Sequence, residues 1–248
     1  MKQLIYLLLL FVSTPLWAEN SLEEADNVYM QGHYEEAAQL YETLLKDQVN
    51  AEAYYNLGNT YYRLEDLGRA VLNYERALLL APDHEDALYN LELCKAKMQD
   101  QFNKPSEMFF ITWLRELVQS RNADQWGSLG IFLLVVSLLL FGIYRFSHRL
   151  GIRKFGFFLS MLGFVCVILV NIAAAWNSSR YQNDQRAVIV KDTHLYKSSN
   201  GEEEALRELH PGTIVEVIDS NSRGWLEVEM PNGKTGWLQQ TDAIKVKE

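Results

Sequence analysis

GSLGIFLLVVSLLLFGIY (residues 127–144) and FGFFLSMLGFVCVILVNIAAAW (155–176) stand on either side of RFSHRLGIRK (145–154). Each apolar run is long enough for a bilayer-crossing helix, which needs about 20 residues. The segment between them carries four Lys or Arg side chains, one His and no acid. Short loops rich in Lys and Arg stay on the cytoplasmic side of a membrane. The sequence therefore predicts a two-helix hairpin, with spans at 127–146 and 155–176 and a cytoplasmic loop at 147–154. Both flanking regions then lie on the opposite side. Asn171 is the one strongly polar side chain in the two runs, and no Asp, Glu, Lys or Arg interrupts them. Nothing in them suggests an ion path. Ser137 and Ser160 can satisfy their own backbone, and Asn171 can hydrogen-bond across helices.

The N-terminus points to export as well. Residues 1–18 carry an early Lys2, an apolar stretch from Leu4 to Val12, a break at Pro15 and a small residue at Ala18, the pattern of a secretory signal cut after Ala18. An uncleaved third anchor is the other reading, and both export the downstream region. The net charge of −9 is unevenly spread: residues 19–104 hold 17 acids against 7 bases, a net of −10. Nucleic acid is excluded as a partner of such a surface, because binding it rests on neutralising phosphates. Of the two cysteines, Cys94 lies in the exported region and Cys166 in the second apolar run, so no disulfide framework is expected. Cys94 falls in a helical pattern beside Leu91 and Leu93 and reads as a buried structural thiol.

Residues 20–98 have apolar positions at helical spacing and repeat themselves. AEAYYNLGNTYY (51–62) is echoed by EDALYNLELCKA (85–96) at an offset of 34, and EEAAQLYETLL (35–45) by GRAVLNYERALLL (68–80) at an offset of 33. This period marks stacked helix–turn–helix units. Residues 51–84 resemble a tetratricopeptide repeat: Tyr54, Leu57, Gly58, Tyr61, Ala70, Tyr74, Ala77 and Pro82 occupy its large, small and proline positions. The small residues let two helices approach and the large ones fill the grooves. Pro82 cannot continue a helix. Residues 21–49 form a partial repeat, and 85–98 supply a first helix that either caps the stack or begins a longer helix toward the membrane. Two and a half repeats are marginal, since each touches only its neighbours. The stack is expected to need a partner or the following helix.

The resemblance implies that the first helix of each unit lines a concave groove. It places Tyr55, Asn56, Asn59, Tyr62, Arg63, Tyr89 and Asn90 there as protein-binding candidates, with Asp26 and Lys97 nearby. Tyr among Asn side chains suits peptide recognition, since a phenol offers area and a hydrogen bond. Packing of these Tyr between helices is the competing reading. Leu22, Asp26 and Asp86 stand where repeats that grip a C-terminal carboxylate carry Lys or Arg, which disfavours that mode.

Residues 105–126 include an amphipathic stretch, with Phe109, Trp113, Leu114 and Leu117 on one face. It is read as an interfacial linker, or as a helix packed on the last repeat. Beyond the second span, TIVEVID (213–219) and GWLEVEM (224–230) alternate as strands and Pro231-Asn232-Gly233 signals a hairpin turn. Several short strands over residues 184–248 imply a small closed barrel. The motif order, with Gly224-Trp225 and Gly236-Trp237-Leu238, resembles a bacterial SH3 domain. That resemblance implies either a protein ligand or peptidoglycan, with Tyr196, Trp225 and Trp237 as the candidate ligand surface. The competing reading puts Trp225 and Trp237 in the core. The acids at 202–204 depart from the family's small polar loop and count against wall binding.

The five histidines are scattered, and no pair of Cys, His or acidic residues has metal-ligand spacing. No nucleophile elbow or phosphate loop is present. No catalytic residue, cofactor or metal is assigned, and the expectation is a protein that is not an enzyme. The fold class is a multidomain α + β membrane protein: tetratricopeptide repeats (19–104), a transmembrane hairpin and an SH3-like barrel. That order of modules resembles the BatE-like Bacteroides aerotolerance proteins. The resemblance implies a bacterial inner-membrane scaffold with both soluble regions in the periplasm. Its partners would be periplasmic or membrane proteins, among them von Willebrand A-type membrane proteins and, indirectly, a MoxR-type ATPase. A peptidoglycan-binding envelope sensor is the alternative.

Overall fold

The computed structural model describes residues 16–102, 108–199, 201, 205–221 and 223–247. The expected signal lies outside this set except for its last three residues, as do the acids at 202–204 and the first residues of the linker. The chain divides into two compact units.

The first unit begins with five helices, α1 (Leu16–Met30), α2 (Tyr34–Asp47), α3 (Ala51–Arg63), α4 (Leu67–Leu80) and α5 (Glu85–Lys97). Each packs on the next. Asn50 starts α3 by accepting from the Glu52 and Ala53 N–H groups, a side-chain cap. His84 starts α5 by accepting from Ala87 N–H. Small residues at the contacts are wholly buried: Ala25, Ala37, Ala53, Ala70, Ala77 and Ala87. A Cβ on Gly58 would lie 2.7 Å from the Tyr74 ring, so that crossing is as close as a glycine permits. Three buried phenols are tied inward: Tyr41 to Asp26, Tyr61 to Glu42 and Tyr74 to Asn59 at 2.7 Å. Cys94 is fully buried.

The same unit ends in a seven-stranded antiparallel sheet. Its strands are β1 (Arg186–Ile189), β2 (Thr193–Tyr196), β3 (Ala205–Leu209), β4 (Ile214–Ser220), β5 (Trp225–Glu229), β6 (Thr235–Gln239) and β7 (Ala243–Lys245). Their spatial order is β3-β2-β6-β5-β4-β1-β7. Alternation decides what is inside: Leu226, Val228 and Met230 are buried and Glu229 is exposed. They join Ala187, Ile189, Leu195, Leu209, Val215 and Leu238 in the sheet's core.

The sheet is docked on the helices. Val188 and Val246 belong to the helical core rather than the sheet's own. Gly68 in α4 permits the approach, since a Cβ there would lie 2.9 Å from the Val190 backbone. Arg186 pairs with the buried Glu75, and Arg76 donates to the Val246 and Lys245 carbonyls, each at 3.1 Å. The chain leaving α5 is extended at Met98, so of the two readings of residues 85–98 the longer helix is the one that does not form. This segment instead carries Asp100 into the sheet, where its carboxylate accepts from His210 N–H at 2.7 Å, the Thr213 hydroxyl at 2.8 Å and Arg207 at 3.2 Å. Phe102 continues from it onto the sheet core. The support that two and a half repeats lack thus comes from the C-terminal sheet.

The second unit contains α6 (Phe109–Gln119), α7 (Ala123–Phe146) and α8 (Leu150–Gln182). Helices α7 and α8, of 24 and 33 residues, are long and apolar enough to cross a membrane. Small residues sit where they meet: a Cβ on Gly156 would lie 3.1 Å from the Leu140 carbonyl and the Tyr144 nitrogen, and Gly163 abuts Ser137. Such contacts are how helices pack in lipid. Ser137 and Ser160 bond carbonyls of their own helices. Asn171 does the same at Val167 and lies against Gly130. No residue of α6 is buried. Its last turn is held to the hairpin because the Val118 carbonyl accepts from both Trp126 (2.9 Å) and Asn177 (2.7 Å).

Candidate protein-interaction site

The first helices α1, α3 and α5, with Tyr74 from α4, enclose a cavity of about 190 Å³ lined by Tyr29, Asn59, Tyr62, Arg63, Tyr74, Asn90 and Leu93. Asn59 organises it. Its Oδ1 accepts from the Tyr74 hydroxyl at 2.7 Å and from Asn90 Nδ2 at 2.8 Å. Tyr62 forms one wall, with the Lys97 ammonium 4.4 Å from its ring centroid and donating to its hydroxyl. Tyr29 and Arg63 also line it, and the neighbouring Tyr29 phenol shifts the Arg63 guanidinium further up from its ordinary value. Burial pushes the Tyr74 phenol well above its ordinary value, so it remains a donor to Asn59. Amide, phenol and cation are all presented, which matches the donors and acceptors of a polypeptide main chain.

Of the groove residues expected from the sequence, the structure brings Asn59, Tyr62, Arg63 and Asn90 together. Tyr55 is half-buried, its ring tilted against those of His84 at 4.6 Å and Tyr74 at 6.2 Å. Asn56 spends its amide on Asp26 at 3.0 Å. Tyr89 is 66% exposed on α5 and does not line the cavity. Tyr29, Tyr74 and Leu93 complete the lining and fall outside the expected set. The repeat period holds the signal for two of them: Tyr29 stands 33 positions before Tyr62, and Leu93 stands 34 after Asn59.

Tyr196, Trp225 and Trp237 gather on the outer face of the sheet and are half-buried. Tyr196 and Trp225 meet edge to face at 5.6 Å. Trp237 lies in register with Tyr196 on one side and Glu227 on the other. Elsewhere, burial pushes the Cys94 thiol up to about 11, which suits an inert structural role. Among the described residues no three His, Cys, Asp or Glu side chains gather to hold a metal.

A tetratricopeptide repeat family model matches residues 51–84. The match covers α3, α4 and the turn after α4, and so includes Asn59, Tyr62, Arg63 and Tyr74 of the cavity. No curated protein matches the chain. The chain therefore carries a tetratricopeptide repeat, a fold that serves protein–protein interaction, together with two apolar helices and an antiparallel sheet.

Proposed function

We propose that this protein is a non-enzymatic, membrane-anchored scaffold that holds a partner's peptide segment in the groove between α1, α3 and α5. The observation that carries the reading is the cavity itself. Asn59, Asn90, Tyr62 and Arg63 converge there from helices separated in sequence, on a repeat whose architecture exists to display such a surface. Helices α7 and α8 anchor the scaffold. In this reading the basic 147–154 loop is cytoplasmic, and both soluble regions are periplasmic at a bacterial inner membrane. Residues 184–248 act as an SH3-like domain. The order of parts supports a BatE-like role in an aerotolerance-related complex, with von Willebrand A-type membrane proteins as partners and a MoxR-type ATPase acting indirectly.

The test is crosslinking in intact membranes with partner identification, comparing wild type with Tyr62→Ala/Arg63→Ala. These two side chains line the groove at its exposed edge, and the variant is expected to lose the crosslinked partner while keeping its thermal stability. Retention of the partner would refute the groove as its site. The Tyr196–Trp225–Trp237 cluster favours a second reading, a wall sensor that stacks these rings on peptidoglycan. Sedimentation of the full chain in nanodiscs with purified wall material, lost in Trp225→Ala, would promote it over the scaffold.

A further inference from the structure

Helix α6 has an apolar side that the protein leaves uncovered. Around the helix axis Phe109, Phe110, Trp113, Leu114 and Leu117 fall on one side, and Thr112, Arg115, Glu116 and Gln119 on the other. The five apolar side chains are between 45% (Leu117) and 84% (Phe109) exposed. An exposed apolar face of this kind marks an interaction surface. Two features of the same unit say what covers it.

The first is how the helix ends. The last carbonyls of a helix have no intrahelical partner and are ordinarily left to water. Here the Leu117 carbonyl accepts from the Ser120 hydroxyl at 2.8 Å. The Val118 carbonyl accepts from Trp126 at 2.9 Å and from Asn177 at 2.7 Å. Side chains thus do what water does at an exposed helix end, and such provision is needed where water is scarce. The second is depth. Trp126 lies in the first turn of α7, and Asn177 follows the apolar run of α8. The end of α6 is therefore tied where both long helices leave their apolar length. Trp176, beside Asn177, is 59% exposed, and Trp113 of α6 is 60% exposed. Tryptophan gathers at the boundary between membrane and water. Charge favours neither an anionic surface nor a cationic one, since α6 carries one Arg and one Glu.

We propose that α6 lies in the plane of the bilayer crossed by α7 and α8, at the boundary of headgroups and acyl chains. Phe109, Phe110, Trp113, Leu114 and Leu117 enter the lipid, and Arg115 and Glu116 face water. The inference rests on the reading of α7 and α8 as membrane spans and adds an in-plane anchor to them.

The test uses full chain carrying fluorotryptophan in phosphatidylcholine nanodiscs. Fluorine relaxation is measured with a nitroxide high on the lipid acyl chain, or with a gadolinium chelate in the water. The Trp113 and Trp176 signals are assigned by their loss in Trp113→Phe and Trp176→Phe. The nitroxide is expected to relax Trp113 within about twofold of Trp176, with the chelate acting weakly on both. Adding phosphatidylglycerol should leave this unchanged. Phe110→Asp/Leu114→Asp keeps the probe and the Val118 hydrogen bonds. It should cut the lipid effect on Trp113 by about tenfold and leave Trp176 as it was. Relaxation of Trp113 by the chelate, while Trp176 answers to lipid, would overturn the in-plane helix and leave the spans standing. So would shielding of Trp113 from both agents, the mark of a protein partner or a second copy on this face, or a lipid response confined to discs with phosphatidylglycerol. Loss of the lipid effect at Trp176 would instead sink the span reading, and this inference with it.

Discussion

Asp100 shows what one buried carboxylate can do in this molecule. Burial opposes its ionisation, yet the His210 N–H, the Thr213 hydroxyl and the His210 ring together hold it below its ordinary value. A carboxylate with a depressed folded-state pKa contributes stability above its unfolded value, about 3.9. That stability fades as pH falls through the lower, folded value. Replacing Asp100 with Ala leaves the Thr213 hydroxyl and His210 N–H without their acceptor, at a cost of about 1–3 kcal/mol. Thermal unfolding of the full chain should show this loss at pH 7 and a smaller difference between variant and wild type near pH 3. Gly58 makes the complementary case in the helical core. A methyl group there meets the Tyr74 ring at 2.7 Å, so Gly58→Ala should cost about 1–3 kcal/mol despite alanine's better helix propensity, measured by denaturant unfolding. Gly58 and Tyr74 are legible in the sequence because the repeat motif fixes their spacing. Asp100 is not, since its partners lie 107 to 113 residues away and no local pattern announces a contact that distant.

Among the elements, β1 explains why the docking of sheet on helix is hard to read from sequence. A strand with one wet face alternates cleanly, whereas one buried on both faces reads as a continuous apolar run. Ala187 and Ile189 point into the sheet's core and Val188 into the helices' core, and all three are fully buried. The weak alternation of this stretch is the trace of a second partner. Val188→Asp places an unpaired charge at that joint while sparing the sheet's own interior. Calorimetry should then resolve two unfolding transitions where wild type gives one. The five helices and most of the strands, by contrast, are readable from period and turn chemistry, which are local.

For the whole molecule, two crossings impose a parity. If α7 and α8 both span the bilayer, the repeats and the sheet lie on one side whatever the sign of the loop. Their docking on each other through Val188, Arg186 and Asp100 is consistent with that. Periplasm-dependent reporters fused at residues 100 and 248 should both be active in cells, and one inserted at 148 should be silent. Opposite behaviour of the two termini would show that one helix fails to cross. The groove is half legible at this scale. The motif supplies Asn59, Tyr62, Arg63 and Asn90, while Tyr55 and Asn56 are claimed by helix contacts that a linear pattern cannot distinguish from exposure.

The sheet's seat on α4 also limits how the protein can evolve. Solenoids elsewhere lengthen by duplicating a unit, because each unit touches only its neighbours. Here a duplication between α4 and α5 would carry Asp100 and Phe102 away from a sheet still fastened to α4. Growth at that point of the stack is therefore blocked, and a further unit can be added only on the N-terminal side, away from the sheet.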